Sequence, residues 1–312
     1  MVKNRDFDLI TVVGPTASGK TALAIEIAKA FSGEIISADS MQIYKEFNIL
    51  SAKPSEEELA QIKHHLIGFV PVSNEYSAAE FTEDAGAALK EIEERGNIPI
   101  MVGGTGLYID SFLKGINFSE SKPVDSKKRF ELQKYSNETL LNMLSEVDKE
   151  SAARIHLNDT KRLIRAIEFF YSEGYPISEH DKKSKLSAPK YKAFKLGLNF
   201  RNRDILYDRI NRRVDLMFEK GIVEEVRKIS KLNVSKTASA AIGYKEILPY
   251  VNSEYSLDEV KSNLKQATRR YAKRQLTWFR RDNEINWIYI DDFEDFSEVA
   301  EFTKNLVKNH FK

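Results

Sequence analysis

Hydrophobic positions in the first hundred residues form short apolar runs separated by longer amphipathic stretches. The run Leu9–Val13 is apolar and β-branched, which is typical of a buried parallel strand. Residues 22–30 are mostly alanine, leucine and isoleucine and predict a helix. Residues 34–37 and 97–102 repeat the strand pattern. Strands that alternate with helices predict an α/β fold with a parallel sheet.

The pattern changes after about residue 115. Residues 116–192 contain no convincing buried strand and instead show helical spacing, for example over residues 140–155 and 159–174. Strand and helix patterns then return up to the end of the chain. We therefore expect a catalytic α/β core of residues 1–115 and 193–312, with residues 116–192 as a helical insertion domain.

One glycine-rich segment follows the first predicted strand and precedes the first helix. It consists of Gly14, Pro15, Thr16, Ala17, Ser18, Gly19, Lys20 and Thr21 and fits G-x-x-x-x-G-K-[ST], the phosphate-binding P-loop. Its glycines let backbone N–H groups surround an anion, Lys20 adds a positive charge, and Thr21 can hold a magnesium ion. The motif predicts a P-loop NTPase-like fold and a di- or triphosphate ligand, without identifying that ligand as ATP.

Polar and glycine residues also follow the next two strands. Asp39, Ser40 and Gln42 come after the second strand, and residues 103–106 form a second glycine-rich turn after the third. Ligands bind beyond the carboxyl ends of parallel strands, so these groups are expected near the P-loop. From spacing alone, Asp39 is a catalytic base, a helix cap or a carboxylate near magnesium.

Composition narrows the class of protein. The formal net charge is +1, so a polyanion would be bound by local clusters of charge. No cysteine is present, which excludes disulfides, zinc fingers and thiol nucleophiles. The pair His64-His65 favours a structural role over metal binding. Without a long apolar run, a cytoplasmic protein with no membrane contact is expected.

Positive charge is concentrated near the C-terminus. Residues 261–281 contain eight lysines and arginines and no acidic residue. Lys261, Lys265, Arg269 and Lys273 recur every four positions, and we interpret them as a basic stripe that contacts nucleic-acid phosphates rather than as a solvated face. Arg209 and Arg213 also share a helix face, for which a solvated basic surface is the favoured interpretation.

Three function classes remain from the residues alone. One is a small-molecule phosphotransferase, the second is an enzyme that binds a diphosphate and also nucleic acid, and the third is a pure binding module. The basic segments favour the second class. A binding module would leave Asp39 and the second glycine-rich turn without a role.

Several motifs together resemble one family. The chain is similar along nearly its full length to the tRNA dimethylallyltransferases, also called tRNA isopentenyltransferases, of the bacterial type. The matching segments are the P-loop and residues 36–45, 102–108, 161–166, 241–246 and 268–278. The chain departs from the family pattern in the 48–54 loop and at Gly68. A relative that acts on free adenylate is disfavoured, because a free nucleotide needs neither the insertion nor the basic helix.

The resemblance implies transfer of a dimethylallyl group from its diphosphate to N6 of adenosine 37 in tRNAs that read codons starting with U. It implies Mg²⁺ as cofactor, the tRNA anticodon stem-loop as partner, and a monomer. Asp39 would be the general base, with Thr16 and Arg213 assisting at the diphosphate. The implied tRNA contacts are Asp39, Ser40, Met41, Gln42, Thr105, Arg129, Lys161, Arg162, Leu163, Ile164 and Arg165.

Overall fold

The computed structural model describes residues 5–116, 126–186 and 188–311. Its strands are β1 (Leu9–Val13), β2 (Gly33–Ser37), β3 (His64–His65), β4 (Ile98–Gly103), β5 (Ala193–Asn199) and β6 (Asn286–Tyr289). All their pairings are parallel, and the order in the sheet is β3-β2-β4-β1-β5-β6. The predicted α/β class with a P-loop NTPase-like parallel sheet is confirmed.

Helices connect the strands of this sheet. They are α1 (Lys20–Phe31), α2 (Glu56–Gln61), α3 (Ala78–Glu94), α4 (Gly106–Lys114), α10 (Arg203–Glu219), α11 (Ile222–Ile229), α12 (Lys236–Ser239), α13 (Tyr244–Val251), α14 (Leu257–Phe279) and α15 (Phe296–Lys308). Between α4 and β5 lie α5 (Ser126–Leu132), α6 (Asn137–Val147), α7 (Lys149–Arg154), α8 (Thr160–Glu173) and α9 (Ile177–Leu186).

Both faces of the sheet are covered, which explains why its central strands are apolar throughout. Side chains of β1 alternate between two buried clusters. Leu9 and Val13 pack in the cluster that includes α3 and α4, whereas Ile10 and Val12 pack against α1 and α15. The sheet is therefore fixed on two sides, and the loops after its strands are held in place at its carboxyl edge.

The chain divides into two compact units, residues 1–113 with 191–312 and residues 114–190. The second unit has its own apolar core between α6 and α8. Residues 1–4, 117–125, 187 and 312 of the predicted domains lie outside the described residues. Across the ranges that the structure describes, no helix has the length and apolarity needed to cross a bilayer.

Local differences from the predicted elements have clear physical causes. The predicted helix over 140–155 is two helices, because Asp148 caps α7 by accepting from the N–H of Ser151 (2.9 Å) and also accepts from the N–H of Ser178 (3.0 Å). The two-residue strand β3 is too short to give a periodic pattern. Its His65 contacts the buried Glu34 carboxylate at 2.7 Å.

Candidate active site

The P-loop has the backbone of an anion-binding loop. Gly14 and Gly19 have φ angles of 144° and 88°, and Ala17 has a φ of 65°, a value that is uncommon outside glycine and often marks ligand sites. A Cβ on Gly14 would lie 2.5 Å from the carbonyl oxygen of Leu198 in β5. Gly19 caps α1 without a side-chain bond. The first N–H groups of α1 are thus available to an anion.

Two cations share the space beside this loop. Burial and, to a smaller extent, the charge of Arg213 lower the pKa of Lys20 to about 7, against the opposing effect of the Asp39 carboxylate. Burial also lowers the pKa of Arg213, again opposed by Asp39. A bound anion would relieve this crowding of positive charge, as expected of a diphosphate site.

Helix α10 supplies both Arg209 and Arg213. The Nε of Arg209 donates to the P-loop carbonyl of Ala17 at 2.9 Å, and Arg213 lines the cavity that contains Lys20 and Thr21. The interpretation as a solvated basic surface is wrong for Arg213, which lines the cavity, whereas Arg209 is exposed but is bonded to the P-loop. Their four-residue spacing does place them on one face, but that face is turned toward the P-loop.

Asp39 lies just past the end of β2. Its Oδ1 accepts from the N–H groups of Met41 (2.9 Å) and Gln42 (3.3 Å). One carboxylate oxygen therefore holds a turn rather than the start of a helix, since no described helix begins between β2 and α2. Among the residues that the structure describes, none makes a hydrogen bond to Oδ2, and Asp39 lines both cavities of the site. The two roles, holding the turn and accepting a proton, are compatible because they use different oxygens.

The second glycine-rich turn lies against the loop that carries Asp39. A Cβ on Gly103 would meet the carbonyl oxygen of Ala38 at 2.1 Å. Beyond it, the Oγ1 of Thr105 accepts from the N–H of Ser40 at 3.1 Å. Here glycine permits the close approach of two strand ends.

Two cavities share Thr16, Asp39, Arg213 and Tyr271 in their walls. The first also contains Lys20, Thr21 and the ends of β2 and β4. The second, termed the apolar cavity, has an apolar side formed by Leu50, Met217, Ala240, Ala241, Ile242 and Leu264, and Lys245 and Arg274 also line it. The polar compartment at the P-loop therefore adjoins one with an apolar side, and the predicted catalytic residues lie where they meet.

Sequence reasoning missed two contributors from α14. Gln275 accepts from the N–H of Thr16 at 2.8 Å, and Tyr271 lines both cavities. Both lie in the matching segment 268–278, but nothing local assigned them to the site, because Thr16 and Gln275 are 259 positions apart in the chain. Their place in the site is visible only in the folded structure.

The 48–54 loop, where the chain departs from the family pattern, is anchored by another residue that the sequence did not reveal. The carboxylate of Glu225 in α11 accepts from three consecutive N–H groups, those of Asn48 (3.2 Å), Ile49 (2.8 Å) and Leu50 (2.8 Å). Leu50 lines the apolar cavity. Glu225 thus shapes one wall of the site from a distance.

The predicted basic stripe on α14 needs correction. Lys261 and Lys265 contact the Asp215 carboxylate of α10 at 2.8 and 2.7 Å, and Arg269 donates to Asn211 at 2.6 Å. Three of the four stripe residues are therefore tied to α10, because the stripe faces a neighbouring helix. The exposed cations of α14 are Arg270, Lys273 and Arg274.

The second compact unit holds the remaining predicted tRNA contacts, Arg129 and residues 161–165. Lys161, Arg162 and Arg165 are exposed on α8, whereas Leu163 and Ile164 are buried in the core of the unit, so their side chains offer no tRNA surface. Arg129 makes a bidentate pair with the buried Glu168 carboxylate at 2.7 and 2.6 Å. It therefore has a structural partner within its own unit.

The predicted metal ligand Thr21 also lies in the P-loop cavity. Within the described ranges, no group of three or more His, Asp and Glu side chains could hold a metal ion. A magnesium ion here would take most of its oxygen ligands from a bound diphosphate and water, which is how Mg²⁺ is commonly held at phosphate sites.

Comparisons with known proteins agree on one family. Residues 42–282 match the family model described as IPP transferase. The tRNA dimethylallyltransferase of Caldanaerobacter subterraneus is 46% identical over 94% of this chain and 95% of its own length. That of Acetivibrio thermocellus is 47% identical over 96% of both chains.

Solved structures give the same result. The tRNA isopentenylpyrophosphate transferase of Bacillus halodurans is 38% identical with a TM-score of 0.73, covering 97% of this chain and 96% of its own. A eukaryotic dimethylallyltransferase described as acting on tRNA is 28% identical with a TM-score of 0.81, covering 97% of this chain and 80% of its own. With this sequence similarity and shared fold around the P-loop site, the chain belongs to the IPP transferase family of tRNA dimethylallyltransferases.

Proposed function

We propose that this prenyltransferase moves a dimethylallyl group from dimethylallyl diphosphate to N6 of adenosine 37 in tRNAs that read codons starting with U. The observation that carries the proposal is the shared position of Asp39 and Arg213 in the walls of both the P-loop cavity and the apolar cavity. The diphosphate and the prenyl-accepting base would meet at these residues.

The leaving diphosphate is stabilised by the polar compartment at the P-loop. In the reaction, the bond between C1 of the allyl group and the diphosphate oxygen breaks, and negative charge grows on the diphosphate. The N–H groups at the start of α1, with Lys20 and Arg213, are placed to receive that charge. Thr16 lines both cavities and assists at the same group.

The attacking amine needs a proton acceptor. As N6 forms its new bond to C1, it must lose one proton, and the carboxylate of Asp39 accepts it. Oδ1 stays engaged with the turn at Met41 and Gln42, so the proton goes to Oδ2. General-base catalysis of this kind typically contributes two to four decades of rate, roughly 3–5 kcal/mol.

Magnesium fits the P-loop cavity through Thr21, with a diphosphate supplying further oxygen ligands. Bound there, the ion would neutralise part of the charge on the leaving group.

The tRNA would be held by the loop residues Ser40, Met41, Gln42 and Thr105, the exposed cations of α14, and Lys161, Arg162 and Arg165 of α8. We retain Arg129 as a tRNA contact in addition to its pair with Glu168. Adenosine 37 is stacked in the anticodon loop and must leave that stack to reach the site. The proposed enzyme acts as a monomer in the cytoplasm, where its tRNA substrates occur.

Mass spectrometry of tRNA nucleosides tests the reaction. Purified protein is incubated with magnesium, dimethylallyl diphosphate and an anticodon stem-loop that carries A36 and A37, and a matched stem-loop with G37 serves as the control. We expect N6-dimethylallyladenosine only in the first RNA. Phosphate transfer from ATP to a small acceptor, or prenylation of free adenylate in preference to the stem-loop, would overturn the proposal.

A further inference from the structure

Helix α14 reaches the P-loop through one buried side chain. Gln275 is 5% exposed. Its Oε1 accepts from the N–H of Thr16 at 2.8 Å, and its Nε2 donates to the carbonyl oxygen of Gly104 at 3.1 Å. One amide thus joins the P-loop to the glycine-rich turn after β4, because its oxygen and its nitrogen each make a hydrogen bond.

A second side chain on the same face extends this connection. Tyr271 precedes Gln275 by four residues, so the two lie one turn apart on one side of the helix. Burial and the nearby Asp39 charge raise the pKa of the Tyr271 hydroxyl, and the side chains of Thr105 and Gln275 oppose that rise. Thr105 follows Gly104, the acceptor of the Gln275 amide, and itself accepts from the N–H of Ser40, the residue after Asp39. Thr16 and Asp39 are therefore linked through α14.

The fit of Gln275 leaves little room for movement. A Cβ on Gly104 would lie 2.0 Å from the Nε2 of Gln275, so only glycine admits the amide at this distance. In addition, the N–H of Thr16 is committed to Gln275, whereas N–H groups of a P-loop usually serve the phosphate. This N–H therefore fixes the position of the loop.

We propose that Gln275 and Tyr271 are positioning residues that hold Thr16, beside the diphosphate, in register with Asp39, beside the acceptor amine. The inference rests on the proposed function. Two reacting groups that sit on separate loops must be aligned closely for direct displacement, and small misplacements cost large factors in rate. The two α14 side chains supply that alignment without touching either substrate atom that reacts.

The test measures single-turnover prenylation of the stem-loop by Gln275→Met, which keeps the length of the side chain and removes both hydrogen bonds. We expect the rate at saturating substrates to fall about 10- to 100-fold, with stem-loop affinity changed less than about threefold. The rate should fall less in Tyr271→Phe, because this change removes only one hydroxyl. Gln266→Met is the matched control, since Gln266 is an exposed residue of the same helix.

A double-mutant cycle separates alignment from a general structural effect. If Gln275 acts by aligning Thr16 with Asp39, Gln275→Met should cost less than about threefold when Asp39 is already asparagine. Equal costs in both backgrounds, or a loss confined to substrate affinity, would overturn the inference, as would a normal rate for both Gln275→Met and Tyr271→Phe. If Gln275→Met fails to fold, Tyr271→Phe takes its place in the cycle.

Failure of the proposed function is recognised separately, because the unmodified protein would then form no N6-dimethylallyladenosine. If Asp39→Asn reacts at a near-normal rate, Asp39 is not the group that Gln275 and Tyr271 align, and the inference is overturned as well.

Discussion

The Nζ of Lys20 donates a hydrogen bond to the carbonyl oxygen of Pro15 at 2.7 Å, so the lysine of the P-loop is bonded to its own loop. Burial, reinforced by Arg213, lowers the pKa of Lys20 to about 7. The ammonium and the neutral amine are therefore both populated near neutral pH. A diphosphate in the cavity would favour the ammonium and raise this pKa.

Diphosphate binding should therefore take up a proton. Between the pKa of about 7 in the empty site and the higher value in the complex, affinity should fall as pH rises, by up to about tenfold per pH unit. Calorimetry with inorganic pyrophosphate, in two buffers that differ in ionisation enthalpy, measures both the affinity and the proton uptake.

Lys20→Gln is the control for this titration, because any slope that remains in it belongs to pyrophosphate itself. It should also bind pyrophosphate more weakly, since a charge-assisted contact is lost. Identical pH slopes in the two proteins would show that Lys20 is already fully charged in the empty site.

Asp39→Asn distinguishes the two roles of this side chain. Asparagine keeps an oxygen that can accept from Met41 and Gln42 but cannot take a proton from N6. We expect a single-turnover rate lower by two to four decades, roughly 3–5 kcal/mol, with little change in stem-loop affinity or thermal stability. Asp39→Ala should show the same loss of rate together with a lower stability, because the turn loses these hydrogen bonds. A rate restored by saturating magnesium would assign Asp39 to the metal instead.

Salt dependence should identify which cations of α14 meet tRNA phosphates. Neutralising the exposed Arg270 and Lys273 should weaken stem-loop binding and reduce the slope of log affinity against log salt by about one unit per lost phosphate contact. Lys265→Met is the comparison variant, because Lys265 is held by Asp215. It should leave the slope unchanged. If Lys265→Met reduced the slope and neutralising Arg270 and Lys273 did not, the tRNA surface would instead be the basic stripe predicted from sequence.

Glu225→Gln tests the anchor of the 48–54 loop. Three N–H groups would lose a charged acceptor, so we expect the free energy of unfolding to drop by about 1–3 kcal/mol in urea titrations. Because Leu50 lines the apolar cavity, KM for dimethylallyl diphosphate should rise as well. Glu224→Gln, an exposed neighbour on α11, should change neither quantity. Equal behaviour of the two variants would show that the loop is held by other contacts.

Arg129→Met should separate structural support from tRNA contact in the insertion. It leaves the buried Glu168 carboxylate without its bidentate partner, which typically costs about 3–5 kcal/mol. Adding Glu168→Met should recover much of that stability. Arg162→Met removes an exposed charge, so it should weaken stem-loop binding without lowering the melting temperature. Full stability of Arg129→Met, with weaker stem-loop binding, would make Arg129 a tRNA contact alone.

Local patterns were sufficient for the elements that carry strong signals. The apolar run at Leu9–Val13, the P-loop and the helix that follows it all lie where sequence reasoning placed them. Asp39 was found because it follows a strand at the carboxyl edge of a parallel sheet. These features depend on residues that are close together in the chain.

Features that depend on distant pairs were missed or misjudged. The environment of Arg213 follows from how α10 packs near the P-loop, and the helical period alone cannot say which face is covered. The same ambiguity affected Lys261 and Lys265, whose partner Asp215 lies on another helix. No local signal assigned Gln275 and Glu225 to the site, since each acts on backbone groups more than 170 positions away.

The strand order has a consequence for how the chain acquires its structure during synthesis. β1 pairs with β4 and β5, but β5 is made only after the whole of residues 114–190. Until then, one edge of the apolar strand β1 has no partner, and an open edge of this kind can recruit strands from other chains. Closure of the β1–β5 ladder, which pairs Leu9 with Ala193, joins segments far apart in the chain. Such non-local pairing is slow, so this edge of β1 stays open at least until the insertion has been translated.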